Sequence, residues 1–293
     1  MKSNSKNNSK NKNKKAKKST AKKCLILAIL IFCWWFNNYS LHINSTSISS
    51  DKLTAPARLA VLSDYHAHAL SISKKTILET LEKITPDAVI VLGDMYTSGS
   101  TSEGVDMAIS LMSAIAEKYT VYFVSGEHDA SSDYIASLSQ NGVRVMNYAD
   151  ETVNINGNSI RFLGIDNAYY SPTFNLKNEF TLYDGNYNIL LAHIPNYEKF
   201  ADFGADLTLC GDTHGGMFRL PVVGPVYDSQ SNTFFPKLQS SGTPFYDKGF
   251  YDYKGGTMFI TSGIGDSPTP IRFCNLPEIV SIDLLPSEVN DEN

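Results

Sequence analysis

Five apolar runs in this 293-residue chain end on acids or histidines. Leu59-Ala60-Val61-Leu62 leads into Ser63-Asp64-Tyr65-His66, and Ala88 to Leu92 leads into Gly93-Asp94. Val121 to Val124 leads into Gly126-Glu127-His128-Asp129, Ile189 to Ala192 ends in His193, and Leu207-Thr208-Leu209-Cys210 runs into Gly211-Asp212-Thr213-His214. Singly each is weak, because an Asp closing a strand is commonly a turn residue or a helix cap. Together they are hard to explain as caps. Carboxylates and imidazoles at that density repel one another and titrate badly unless cations neutralise them, so bound metal is the economical reading.

Such residues act together only if the fold gathers them. Strand-like runs recur at Leu59–Leu62, Ala88–Leu92, Val121–Val124, Ile160–Leu163, Asn188–Ala192, Leu207–Leu209 and Thr257–Thr261. Between them, Ile77, Leu78, Leu81 and Ile84, and then Val105, Ala108, Ile109, Met112 and Ile115, follow helical spacing. The alternation predicts an α/β domain with a largely parallel sheet and crossover helices. In such a sheet the carboxyl ends of the strands share one rim, so the acids and histidines converge on one crevice. After about residue 145 the pattern turns strand-rich, and Asn156-Gly157 between two alternating runs is a hairpin signal. Mixed sheets are expected in the second half.

Charge is unevenly spread. The chain has 25 Lys+Arg and 30 Asp+Glu, but residues 1–23 hold ten lysines and no acid, so the remainder carries 15 against 30, or −15. An acidic body argues against nucleic acid as the domain's partner. Residues 1–23, almost all Lys, Asn, Ser and Ala, are expected to be a disordered cytoplasmic tail. Next come thirteen uncharged apolar residues, Cys24 to Phe36, and extension to Ile43 gives a twenty-residue membrane anchor, 24–43. Trp34-Trp35 suits an interfacial belt, no small-x-small cleavage site follows closely, and the lysines fix the tail inside. This predicts a single-pass cell-membrane protein with an extracytoplasmic domain. A cleaved signal peptide and a buried core helix are the alternatives, whereas a lipoprotein is excluded because Phe32 precedes Cys33. Residues 44–56 are expected to be a Ser/Thr-rich linker, 57–285 the domain and 286–293 an acidic tail. Cys210 and Cys274 are the only cysteines of the body, and two small thiols are expected rather than a disulfide framework.

In order, the polar strand ends resemble the signature of the calcineurin-like metallophosphoesterases. The family's Asp-x-His, Gly-Asp, Gly-Asn-His-Asp/Glu, lone His and Gly-His-x-His are matched here by SDYH, LGD, SGEHD, AHIP and CGDTH. The resemblance covers about residues 57–285. Within the family the chain looks most like a membrane-anchored bacterial branch, through HGGMFRLPVVGPVYD, GFYDY and ITSGIGDSPTPIRFCNLPEI. It implies a four-layer α-β-β-α sandwich of two mixed sheets following the N-terminal transmembrane helix, and two divalent metal ions at the rim. Carried over by position, Asp64, His66, Asp94 and His214 match the first metal's ligands, Asp94 bridges, and His193 holds the second. His128 matches a non-ligand histidine that aids phosphoryl transfer, and Asp129 is expected to orient it.

Two positions depart from the family pattern. Glu127 stands where a metal-binding Asn is usual and Asp212 where a His is usual, both in the second metal's shell. Four carboxylates neutralise two divalent cations, which favours hard ions, Mn²⁺ first, with Fe, Zn²⁺, Mg²⁺ and Ca²⁺ also admissible. His68, Tyr65, Tyr96, Tyr169 and Tyr170 are candidates for the crevice walls. The resemblance implies a membrane-tethered phosphoesterase that hydrolyses a phosphodiester or a lipid-linked phosphate by metal-activated water. A catalytically impaired metal-binding or sensory relative is the alternative, and purely structural metal the third reading. The sequence does not encode a substrate head group or an oligomeric state.

Overall fold

The computed structural model describes residues 3–228, 231–239, 244–266 and 271–287. Two six-stranded sheets lie face to face. The first, from edge to edge, is β1 (His42–Ser50), β16 (Glu278–Pro286), β2 (Ala57–Leu62), β3 (Ala88–Val91), β4 (Val121–Phe123) and β5 (Arg144–Val145). Its strands β2 to β5 are parallel, joined by the crossover helices α2 (Lys74–Ile84), α3 (Ser102–Ala116) and α4 (Ser132–Gln140). The second sheet is β14 (Gly249–Tyr253), β15 (Gly256–Ile260), β9 (Leu207–Cys210), β8 (Tyr187–Leu191), β7 (Asn158–Gly164) and β6 (Ala149–Ile155). Strands β7, β8, β9 and β15 are parallel, with β6 and β14 antiparallel at the edges and α5 (Leu176–Glu179) and α6 (Tyr197–Phe203) outside. Beyond β9 the chain makes two small hairpins, β10 (Arg219–Leu220) with β11 (Gly224–Pro225) and β12 (Tyr227–Asp228) with β13 (Thr233–Phe234), then α7 (Pro236–Gln239). Helix α1 (Ser3–Tyr39) precedes β1.

The period of two explains the layering. In β2, Leu59 and Val61 face the second sheet and meet Phe162, Ile189 and Leu209, while Ala60 and Leu62 face the helices. Because both faces are covered, the central strands read as unbroken apolar runs. Helix α2 buries Ile77, Leu81 and Ile84 on one stripe, starts at a Ser73 cap whose side chain accepts from Thr76 N, and ends at Thr85 in the left-handed region. The outer face of the second sheet packs Leu163, Leu190, Cys210 and Ile260 against Phe200 and Phe203 of α6. The result is the α-β-β-α sandwich that the family resemblance implies. Asn156 and Gly157, at φ 54° and 91°, make the expected tight turn between β6 and β7. Cys210 is buried in the core and Cys274 exposed, both as free thiols.

The structure departs from the sequence reading before residue 57. Residues 42–50, expected as linker, form β1, which pairs in parallel with β16 through nine register positions from His42 with Glu278 to Ser50 with Pro286. Only Ile43 and Ile48 among them are large and apolar, so the segment looks like linker, yet Ser45, Ser47 and Ser49 alternate outward in strand period. The long helix stops at Tyr39 rather than Ile43, and its apolar window, of mean hydropathy 1.4, spans Thr20–Tyr39. Helix also continues through residues 3–23, expected as a disordered tail; the Lys and Ala of 14–23 suit a helix, whereas the Asn and Ser of 3–13 do not account for one. Leu25, Ile26, Leu27 and Leu30 are exposed, so α1 is not a buried core helix. Residues 288–293 of the expected acidic tail lie outside the described residues.

The end of α1 is fastened to the domain. Asn38 is buried, and its Oδ1 accepts from Arg272 N at 2.9 Å, while Asn37 Oδ1 accepts from Cys274 N at 2.9 Å. His42 N then donates to Pro277 O at 2.8 Å. A chain shortened to begin at Ser40 keeps β1, whereas one beginning at Asp51 uncovers an edge of β16. Thermal unfolding of the two is expected to show a markedly lower midpoint or aggregation for the Asp51 chain; equal midpoints would mean that β1 contributes nothing to the fold.

Candidate metal centre

All seven expected ligands meet at the carboxyl ends of the strands. Their ligating atoms group as Asp64, His66 and His214; Asp64, Asp94 and His193; and Glu127, His193 and Asp212, within 4.8 Å of one another in each group. Asp94 is the hub. Its Oδ2 lies 3.3 Å from His193 Nε2, 3.8 Å from His66 Nε2 and 3.9 Å from His128 Nε2, while Oδ1 accepts from His128 N at 2.9 Å. Asp64 Oδ1 lies 3.8 Å from His214 Nε2 and 3.9 Å from His193 Nε2. Glu127 Oε2 stands 3.0 Å from His193 Nε2.

The tautomers are set from behind. His193 Nδ1 donates to the Leu92 carbonyl, and His66 Nδ1 hydrogen-bonds Thr97 Oγ1 at 3.0 Å, so in both rings Nε2 faces the crevice. His66 Nε2 and His214 Nδ1 are buried with no hydrogen-bond partner, and His193 Nε2 has only the Glu127 and Asp94 carboxylates beside it. Orphaned imidazole nitrogens are costly in a dry site, and beside clustered carboxylates they fit divalent cations. The electrostatics agree. Burial pushes the Asp64 carboxyl up to about 7, with Asp94 adding to the rise. Burial also acts to raise Asp94, but His193 and His66 beside it outweigh that and hold its carboxyl down to about 2. Burial lowers His66 to about 4 and drives His214 well below the ordinary histidine range. On His193 burial is overcome by Asp94 and Glu127, which raise it well above that range.

The backbone at the site is unusual. Asp64, His66, Asp94, Asp212 and His214 all have positive φ, between 44° and 66°, in the left-handed region that non-glycine residues seldom adopt. Asp and His enter this region more readily than other side chains, and five of them there in one cluster mark the sharp turns that close the strand ends. Gly93, at φ 89°, and Gly126 back onto each other so closely that a Cβ on Gly93 would overlap Gly126 N, and one on Gly126 would overlap the Asp94 carboxylate.

His128 and Asp129 divide differently from expectation. His128 Nδ1 accepts from Ser98 N at 3.0 Å, which leaves Nε2 as the N–H that faces Asp94. Its side chain is 29% exposed, in reach of a ligand from solvent. Asp129 does not orient the imidazole. Its carboxylate turns under the loop, accepting from Asp94 N at 2.5 Å, Gly126 N at 3.1 Å and Met95 N at 3.3 Å, because those buried N–H groups have no strand partner. Asp129 therefore fixes the backbone that presents Asp94, and burial pushes its carboxyl up to about 7.

Of the candidate walls, Tyr65 and Tyr96 pack into the helix-side core, with Tyr65 donating to Ile72 O at 3.0 Å. Tyr169 is buried and donates to Ile194 O at 2.5 Å. Tyr170 is exposed, donates to Pro195 O at 3.0 Å, and has its phenol raised by burial and by Asp212. His68 pairs with Asp266 at 2.7 Å outside the ligand groups. Sequence reasoning missed Thr97, Ser98, Asn275 and Arg272. Asn275 Nδ2 donates to His214 O at 2.7 Å, and the buried Arg272 guanidinium donates to Ser262 O and Gly265 O. No spacing rule marks such supporting residues.

A double-sheet α/β sandwich with acids and histidines gathered at its strand ends is a scaffold suited to binding metal ions. The chain belongs to the calcineurin-like phosphoesterase family, whose family model matches residues 57–216, more than half of its length. Membership carries action on phosphoesters and the use of divalent metal. Similar proteins include the uncharacterized metallophosphoesterase YkuE of Bacillus subtilis, 26% identical over 72% of this chain and 72% of that one. An uncharacterized metallophosphoesterase of Aquifex aeolicus is 21% identical over 89% of this chain and 98% of its own. Among solved structures, TT1561 of Thermus thermophilus aligns at 11% identity with a TM-score of 0.45, covering 72% of this chain and 91% of that one.

If these side chains hold cations, Mn²⁺ at about 100 times its Kd stabilises the domain by about 2.7 kcal/mol. That corresponds to a rise of roughly 5–10 °C in thermal midpoint for a domain of this size. Asp94→Asn should abolish the rise. A parent chain that does not respond, or an Asp94→Asn chain that responds equally, would contradict the assignment.

Proposed function

We propose that the chain is a membrane-tethered, dinuclear-metal phosphoesterase whose catalytic domain lies outside the cytoplasm and whose substrates are phosphodiesters or lipid-linked phosphates. The observation that carries this reading is the gathering of the His66, His193 and His214 rings with the Asp64 and Asp94 carboxylates at one set of strand ends, where their possible ligand atoms fall into groups within 4.8 Å. Asp64, His66, Asp94 and His214 would hold one divalent ion, and Asp94, Glu127, His193 and Asp212 the other. Two such ions supply charge neutralisation at the phosphoryl group and an acidified water. His128 presents its Nε2–H beside Asp94, where it can donate to a phosphoryl oxygen or to the departing alkoxide. Ser98 N keeps that proton on Nε2 by donating to Nδ1. The lysine-rich flank and the exposed apolar window of α1 support the tether and its direction.

Glu127 and Asp212 stand in one group with His193, which supports both as ligands of the second ion. Four carboxylates then cancel the charge of two divalent ions, which favours hard cations such as Mn²⁺ and favours singly charged diesters over monoester dianions. The same two carboxylates motivate a second reading, a metal-binding relative with little turnover. Hydrolysis of a chromogenic phosphodiester with added Mn²⁺ separates the two.

His128→Ala is expected to leave metal content intact while lowering turnover by ~10² to 10⁴. Full activity in that variant would remove His128 from the chemistry. The double variant Glu127→Asn, Asp212→His should gain affinity for Zn²⁺ and raise monoester hydrolysis relative to diester hydrolysis. A metal preference and substrate ratio equal to the parent's would defeat the charge argument.

A further inference from the structure

The anchor and the metal centre lie at the same pole. Strand β1 is parallel to β16, and β16 is antiparallel to β2. His42, the first residue of β1, pairs with Glu278, and Val280 pairs with Val61 near the carboxyl end of β2, just before Asp64 and His66. The helix therefore delivers the chain to the rim that carries the ligands, not to the opposite end. Short bonded paths join them. Asn38 meets Arg272, whose guanidinium holds Ser262 O and Gly265 O, and Gly265 N donates to Asp64 O at 2.6 Å. Asn37 meets Cys274, and the next residue, Asn275, holds the His214 carbonyl.

The same pole is apolar where it faces outward. Outside α1, thirteen large hydrophobic side chains are exposed among the described residues, and eight of them fall in 218–238 and 271–273. Phe218 and Phe273 stack at 4.9 Å between ring centroids on the loop pair that the anchor end grips. Leu220, Ile271 and the wholly exposed Val222 stand beside them in sequence, and Leu70 is exposed next to His68, which pairs with Asp266. Single exposed hydrophobics are ordinary, but a cluster around the exit of an apolar helix calls for an apolar partner.

We propose that this rim rests in the headgroup boundary of the leaflet from which α1 emerges, so that the metal crevice opens toward the bilayer surface. The occupant is the phospholipid bilayer itself, argued from the continuity of the rim with the anchor, and the inference rests on the membrane-tethered reading given above. The hydrogen bonds of Asn37 and Asn38 oppose the free swivelling that a flexible linker would permit. A substrate phosphate carried on a lipid of the same leaflet then reaches the crevice without leaving the membrane.

The test uses the full chain in phosphatidylcholine–phosphatidylglycerol vesicles, with Cys24, Cys33 and Cys274 replaced by Ser. An environment-sensitive nitrobenzoxadiazole label is placed at Val222→Cys, or at Asp184→Cys in the exposed loop before β8, at the end opposite His193. Lipids with a shallow doxyl group should quench the label at position 222 several-fold more than at 184, with a blue-shifted emission only at 222. Equal quenching at the two positions, with Trp34 and Trp35 quenched in the same vesicles, overturns this orientation and leaves the tether standing. If the two tryptophans are unquenched and alkaline carbonate strips the chain from the vesicles, the tethered reading fails, and this inference with it. Retention of the Mn²⁺ thermal shift in each labelled chain shows that the domain is folded.

Discussion

The structure turns on the neutralisation of the carboxylates clustered around Asp94. Carboxylate oxygens of Asp64 and Asp94, and of Glu127 and Asp212, approach within 4.8 Å. At an effective dielectric constant of about 20, each such like-charged pair costs on the order of 3–4 kcal/mol. The buried Asp64–Asp94 pair alone is therefore a sizeable part of the ~5–15 kcal/mol by which a domain is stable at all, while water screens the exposed Glu127. The fold tolerates them because the strand ends hold the acids where histidine nitrogens and divalent ions can share the charge. The two hydrophobic layers that flank the first sheet, and the third behind the second sheet, supply the rigidity that keeps the groups from spreading apart.

That requirement reaches well beyond the ligands. Asp129 spends its carboxylate on the N–H groups of Asp94, Met95 and Gly126, so the loop carrying the hub cannot relax. Gly93 and Gly126 let two loops touch, and Arg272 collects the carbonyls of the loop that lies against Asp64. The last strand, β16, closes the first sheet on β2 and at the same time receives β1. One strand thereby links the metal rim to the helix that precedes the domain.

The parts of this arrangement that repeat a local rule were legible in the sequence. Leu59 to Leu62 and Ala88 to Val91 announce buried strands by unbroken apolar character, and the acids that follow announce a rim. Strand β1 escaped because its partner lies more than two hundred residues away, and nothing within His42–Ser50 records that Glu278–Pro286 will pair with it. The role of Asp129 is hidden from the sequence for a related reason. Adjacency to His128 suggested a hydrogen bond to the ring, but the turn closed by Asp129 N on Gly126 O directs the side chain inward. Ser98, Thr97 and Asn275 act through a backbone N–H, a hydroxyl and an amide that any loop could offer, so composition does not single them out.

The left-handed backbone at Asp64, Asp94 and Asp212 bears on how such a protein can change over generations. Asparagine is among the few residues at ease in that conformation, and it matches aspartate in shape. Exchange of acid for amide at these positions removes charge while asking nothing new of the chain. It also relieves the repulsion between neighbouring acids, so the altered protein can fold more readily than its parent. The chemistry is therefore easier to lose than the architecture, and a lineage can shed its ions by single replacements and persist as a folded surface module. Alanine or a β-branched residue at the same sites faces the opposite fate, because the backbone itself resists it.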